Sequence, residues 1–181
     1  MSKFLGIDTS NYTTSAAIYD SNTGNVIQSR KLLGVADGER GIRQSNAVFE
    51  HLKQLPEILA DLGVENVHEI DAVGVSSKPR NREGSYMPCF VCGEKFAEAI
   101  GIVQGIKVHK TSHQAGHMLA ALYSINRIDF IDKSVLLFHV SGGTTECVLC
   151  EPDKEETFKF TEVCSSLDLK AGQLIDRVGV M

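Results

Sequence analysis

The stretch TSNYTTSAAIYD, residues 9–20, returns 131 positions later as VSGGTTECVLCE, residues 140–151. Ser10 falls over Ser141, Thr13 and Thr14 over Thr144 and Thr145, and Asp20 over Glu151. Each copy reads as the end of an apolar strand, a small polar turn and a second apolar strand that closes on an acid. A repeat of this length at one fixed offset predicts a fold that duplicates itself.

Working outward from the first copy, FLGIDTS and TTSAAIYD are two strands joined by a tight turn at Asn11 and Tyr12, and NVIQSRKLLG is a third strand. Residues 45–62 carry apolar side chains at 48, 49, 52, 55, 58, 59 and 62, a helical stripe that Pro56 is expected to kink or restart. IDAVGVSS is a buried strand, CFVCGEKFAEAIGIVQG a helix ending at Gly105, and IKVHKTS a strand. A further helix follows, with Ser112 as its N-cap and its end near Tyr123. This alternation predicts a mostly parallel α/β sheet packed by helices, with an antiparallel meander at one edge. The second copy is followed by one strand, ETFKFTEVCSS, and one helix, LDLKAGQLIDRVGVM. The expected organisation is a first lobe over 1–131 and the beginning of a second, incomplete lobe over 132–181.

The composition, 43% hydrophobic and 23% charged, is that of a soluble globular chain. No apolar run approaches the roughly 20 residues of a membrane helix, and the short apolar start of MSKFLGIDTS does not read as a signal peptide. The expectation is a cytoplasmic protein with no membrane partner. A net charge of -5 argues against sequence-blind nucleic-acid binding by the whole surface. Lys78, Arg80 and Arg82 in one loop, and Lys107 and Lys110 about a strand, are either local anion sites or solvated charges. The pairs Cys89/Cys92 and Cys147/Cys150 lie 54 residues apart and inside apolar runs, so buried thiols fit them better than a four-thiolate zinc site.

Two motifs carry chemistry. In TSHQAGHML, residues 111–119, His113 and His117 stand about one helical turn apart and project from one face, which two ligands of a metal require. Two imidazoles do not complete a site; His109, His139 and nearby carboxylates are candidates for the rest, and an exposed helix face is the plain alternative. In SGGTT, Gly142 and Gly143 would let backbone amides approach a phosphate, with Ser141 and Thr144 adding hydroxyls; a simple hairpin turn is the alternative.

GIDTSNYTTSAAIYD, HQAGH, VSGGTTE and AGQLIDR together, in this order and approximate spacing, resemble the TsaD family, long labelled O-sialoglycoprotein endopeptidase or glycoprotease of the M22 type. The resemblance spans essentially the whole chain as the amino-terminal half of a divergent member. It implies an actin-like ATPase (ribonuclease H-like) fold, a mixed sheet with helices on both faces and duplicated lobes, the second incomplete. It also implies transfer of a threonylcarbamoyl group from an adenylate to a tRNA adenosine. By position it makes His113 and His117 ligands of one divalent metal, iron or zinc. His139, Val140, Ser141, Gly142 and Gly143 would line ATP or threonylcarbamoyl-adenylate, and Asp176 would contact it from the following helix. The implied partners are tRNA and the other proteins of a threonylcarbamoylation complex.

The chain departs from the family pattern at Tyr12 and Thr13, which stand where the family has an acidic pair, and in KPRNREGSYMP, which replaces a glycine-rich loop. The family's third metal ligand, an aspartate, falls beyond residue 181. The alternative to a transferase is therefore a non-catalytic, nucleotide-binding or scaffolding paralogue of a tRNA-modifying complex. More distant is a kinase-like phosphotransferase acting through Asp8.

Overall fold

The computed structural model describes residues 2–34, 42–141 and 143–179. The chain divides into two compact units, Met1–Gly116 and His117–Met181.

Three antiparallel strands open the first unit: β1 (Lys3–Asp8), β2 (Thr13–Asp20) and β3 (Val26–Leu32). The turn between β1 and β2 is made possible by Asn11 at φ 47°, a left-handed conformation that asparagine tolerates. Then come α1 (Gln44–Asp61), α2 (Val64–His68), β4 (Ala72–Lys78), α3 (Cys89–Gln104) and β5 (Lys107–Ser112). The sheet order is β3-β2-β1-β4-β5, with β1, β4 and β5 parallel, as the alternation of elements predicts. The short α2, started by Gly63 at φ 86°, is too brief to leave a periodic signal. α1 runs through Pro56 as one helix. Proline removes one amide bond, and Pro56 lies on the exposed side, where water can take the carbonyl released.

Alternation decides which side of this sheet is core. Leu5, Ile7, Ile18, Val73 and Val75 are buried on one face, where Leu55 and Ile58 of α1 and Ala97 of α3 close over them. α3 ends where Gly105, at φ 67°, lets the Ile106 amide return to the Gly101 carbonyl at 3.0 Å.

A polar relay is sealed into this core. Thr14 Oγ1 donates to Gln54 Oε1 at 2.7 Å, and Gln54 Nε2 donates to the Leu32 carbonyl at 3.2 Å. With its one proton spent, Thr14 Oγ1 accepts from His51 Nδ1 at 2.8 Å. Burial pushes the His51 pKa down, so the ring is neutral, although the Asn11 backbone pulls the other way. Thr14→Val would strand both His51 Nδ1 and Gln54 Oε1 in the core, at a cost of about 1–3 kcal/mol. Urea unfolding of the variant measures it, and an unchanged midpoint would contradict the relay.

The second unit is a three-stranded antiparallel meander of β6 (Val135–Val140), β7 (Thr145–Asp153) and β8 (Thr157–Ser165), followed by α5 (Ala171–Gly179). The helix α4 (His113–Ser124) bridges the division between the units in sequence. The duplication is visible in the pairing itself. Leu5↔Ile18 and Asp8↔Ser15 in β1/β2 become Leu136↔Leu149 and His139↔Glu146 in β6/β7, each residue advanced by 131.

The copies differ in what covers them. Leu5, Ile7 and Thr9 are 0%, 2% and 0% exposed, whereas their counterparts Leu136, Phe138 and Val140 are 59%, 71% and 52% exposed. Where β4 takes the far edge of β1, β6 has β7 as its one strand neighbour among the described residues.

Candidate functional site

The carboxyl-terminal ends of parallel strands are where open α/β sheets place ligand-binding groups. Asp8 ends β1, Ser76 lies near the end of β4, and β5 leads into α4 at His113. Ser112 caps this helix as its sequence suggests, its Oγ accepting the Ala115 amide at 3.1 Å. That cap places the first imidazole against β1. His113 Nδ1 lies 2.8 Å from Asp8 Oδ2, and the other carboxylate oxygen accepts the Ser10 amide at 2.8 Å. The Phe90 ring packs edge-on to His113 with centroids 6.1 Å apart.

Burial by itself would raise the Asp8 pKa. The hydrogen bond and charge of His113, with hydrogen bonds from Ser10 and Ser76, outweigh it and hold the carboxyl down to about 2. An ionised carboxylate only accepts, so Nδ1 of His113 is the donor in this contact, and a neutral ring in this tautomer would carry its lone pair on Nε2. This is how a metal-binding imidazole is usually oriented, by a carboxylate on its other nitrogen.

The same pair makes stability depend on pH. The unfolded aspartate titrates near ~3.9 and the folded one lower, so the stabilisation is complete above about pH 4 and is lost as pH falls toward 2. Unfolding of the metal-free chain followed between pH 5 and 2 should show a loss of roughly 2 kcal/mol that Asp8→Asn removes. An identical slope in the variant would contradict the assignment.

The turn carrying Asp8 is anchored from below. Thr9 Oγ1 donates to the Cys89 carbonyl at 2.8 Å and accepts the Gly93 amide at 3.1 Å. A Cβ on Gly93 would lie 2.9 Å from that hydroxyl, so α3 can approach β1 only with glycine there.

In the second unit the ring of His117 lies beside that of His139, centroids 5.8 Å apart and tilted by 39°. His139 Nδ1 is 3.5 Å from Oε1 of the buried Glu146, its partner in the β6/β7 register. Among the described residues no three His, Cys, Asp or Glu side chains are grouped closely enough to hold a metal ion.

The small turn after β6 is closed on itself. Ser141 Oγ accepts the amides of Gly143 at 3.3 Å and Thr144 at 2.9 Å, and the Ser141 amide donates to the Thr144 carbonyl at 2.7 Å. Gly142 lies outside the described residues. The start of α5 is tied to the same turn, Gly172 donating to the Ser141 carbonyl at 3.2 Å and Ala171 to Thr145 Oγ1 at 2.8 Å. Val140 is exposed, and Asp176 is exposed on the second turn of α5.

His109 is exposed on β5 opposite Gly74. Lys110 is paired with Glu94 and Glu98, each at 2.8 Å, which takes it out of any anion site. Cys89, Cys92, Cys147 and Cys150 are buried free thiols. The role of Asp8 toward His113 was not read from the sequence, where 105 residues separate them. The available signal was topological: both sit at the ends of parallel strands of one sheet.

No family model matches the chain. The tRNA N6-adenosine threonylcarbamoyltransferase of Buchnera aphidicola is 29% identical over 184 residues, 99% of this chain and 50% of its own length. The protein of the same name from Bacillus licheniformis is 28% identical, over 96% of this chain and 48% of its own. The chain thus spans about half the length of the curated relatives it matches. Among solved structures, YeaZ from Pseudomonas aeruginosa matches with a TM-score of 0.53 and 13% identity, over 92% of this chain and 67% of that one. An inorganic polyphosphate/ATP-glucomannokinase from Arthrobacter sp. strain KM matches with a TM-score of 0.51 and 12% identity, over 99% and 72%. These structures establish the actin-like fold and nothing of function. In sequence, the chain is thus similar, over nearly all of its own length, to about half of a tRNA N6-adenosine threonylcarbamoyltransferase.

Proposed function

We propose that this chain is a metal- and nucleotide-binding component of tRNA threonylcarbamoyladenosine synthesis, with His113 and His117 as its ligands for one divalent ion. The observation that carries the reading is the 2.8 Å hydrogen bond between His113 Nδ1 and Asp8, the carboxylate-to-imidazole contact that orients the ring of a metal-binding histidine. A bound divalent ion would polarise a carbonyl and offset the negative charge that develops as an exocyclic amine attacks it. The protein's own part is to hold that ion, through Asp8 and the Ser112 cap, and to present the Ser141–Thr144 turn to an adenylate. The curated relatives, named as threonylcarbamoyltransferases of tRNA adenosine, suggest the acceptor and a cytoplasmic setting. No helix among the described residues is long and apolar enough to cross a membrane.

A second reading, a nucleotide-binding or scaffolding paralogue without catalysis, is favoured by the lack of a third grouped ligand among the described residues. Tyr12 and Thr13 at the first turn point the same way. One experiment separates the two. The purified chain is loaded with iron or zinc and mixed with tRNA and threonylcarbamoyl-adenylate, alone and with the other proteins of a threonylcarbamoylation complex. Modified tRNA that disappears in His117→Ala supports the transferase. Tight association with those proteins, with no metal bound and no modified tRNA, supports the scaffold.

A further inference from the structure

The fifth cysteine, Cys164, has no part in the site above, and the β7/β8 register sets it directly opposite Cys147. Directly opposed residues of an antiparallel pair have Cα atoms ~4.5–5.5 Å apart, with side chains on one face. A disulfide spans Cα separations of ~4.4–6.8 Å, so this pair needs no backbone rearrangement to close. The two thiols are already in side-chain contact, Cys164 acting with burial to raise the Cys147 pKa. Their surroundings differ in a useful way: Cys164 is exposed on the edge strand β8, and Cys147 is buried on the central strand. The register shifts just beyond the pair, between Cys147 and Val148, so Val148 faces Glu162 and Val163 is left as the extra residue of a bulge. The other thiols have different strand or helix partners, although Cys150 is near enough to Cys147 to feel its charge. Cys150 is opposite Phe160, and Cys89 and Cys92 are buried in α3 of the first unit.

We infer that Cys164 and Cys147 form a thiol–disulfide exchange site for a small-molecule disulfide, Cys164 receiving it and Cys147 resolving it into an intrachain bond between β8 and β7. With oxidised glutathione as that disulfide, the thiolate of Cys164 attacks one sulfur and releases one glutathione thiolate, leaving Cys164 in a mixed disulfide. The thiolate of Cys147 then attacks Cys164 Sγ and expels the second glutathione. Two protein thiols are oxidised by two electrons, one glutathione disulfide is reduced to two thiols, and the two cysteine protons end on the two glutathiones. The bond would fasten the edge strand to the strand that leads out of the Ser141–Thr144 turn. The inference stands whichever functional reading is correct.

The test uses the full chain, reduced, then treated with excess oxidised glutathione and examined by intact mass and tryptic mapping. The expected product is lighter by two hydrogens, links the peptides 134–154 and 160–170, and reverts with dithiothreitol. Cys147→Ser should stop at a stable glutathione adduct on Cys164, Cys164→Ser should give neither product, and Cys150→Ser should keep the link. Because Cys164 is exposed, its serine variant tests the idea even where Cys147→Ser folds poorly. A wild-type chain that accumulates only the adduct, or a link that survives in Cys164→Ser, would overturn the inference.

Discussion

Replacing His113 by alanine is expected to abolish measurable binding of a divalent metal to this chain, and Asp8→Ala to weaken it by about 10–100-fold with both histidines still present. The two variants act at different points. The first deletes an imidazole; the second removes the acceptor at 2.8 Å that keeps the proton on Nδ1 and fixes the ring. Asp8→Asn retains an oxygen for Nδ1 but loses the charge, so its affinity should fall between wild type and Asp8→Ala. Titration against a competing chelator measures all three. Equal affinities for wild type and Asp8→Ala would mean that the bond to Asp8 does not prepare His113 for the metal, and unchanged binding in His113→Ala would remove His113 as a ligand. The Ser10 amide also bonds Asp8, so circular dichroism of each variant should accompany the titration to show that the turn survives.

Phe158→Ala is the second large effect, and it falls on stability. Phe158 is wholly buried and packed at an angle against Phe160, with centroids 5.9 Å apart. Truncating a buried phenylalanine costs about 3–5 kcal/mol, a large share of what so small a unit can hold. Amides of β7 and β8 should exchange rapidly in the variant while those of β1, β4 and β5 stay protected. Phe138→Ser, on the exposed side of β6, should change stability by less than about 0.5 kcal/mol. If the two substitutions proved equally costly, the burial assigned to the two faces of this meander would be wrong.

That contrast shows where sequence reading stops. Phe138 and Phe158 are both aromatic residues in alternating strands, and nothing local tells which one is covered. Leu136, Phe138 and Val140 repeat the pattern of Leu5, Ile7 and Thr9 at the same offset, yet one set is sealed under α1 and α3 and the other is open. A pattern reports that a face is apolar; only neighbouring elements decide whether it is buried. Pro56 taught the converse lesson. Its effect on α1 depends on which side of the helix it occupies, and on the exposed side a lost backbone bond can be replaced by water.

The amino-acid sequence by itself determined the strands, the principal helices, the mixed sheet and the 131-residue duplication. Each of these follows from side-chain periodicity, turn residues and caps acting within a few positions of one another. It also placed two histidines on one helix, because a spacing of four is a local geometric fact. The tertiary structure alone decided that Asp8 meets His113, that His139 stands beside His117, and that Cys147 faces Cys164 ahead of a bulge. The reason is the same in every case: strand order, register and the way a helix leaves its strand are settled by the packing of distant segments, and a single residue's shift in any of them would change which groups meet.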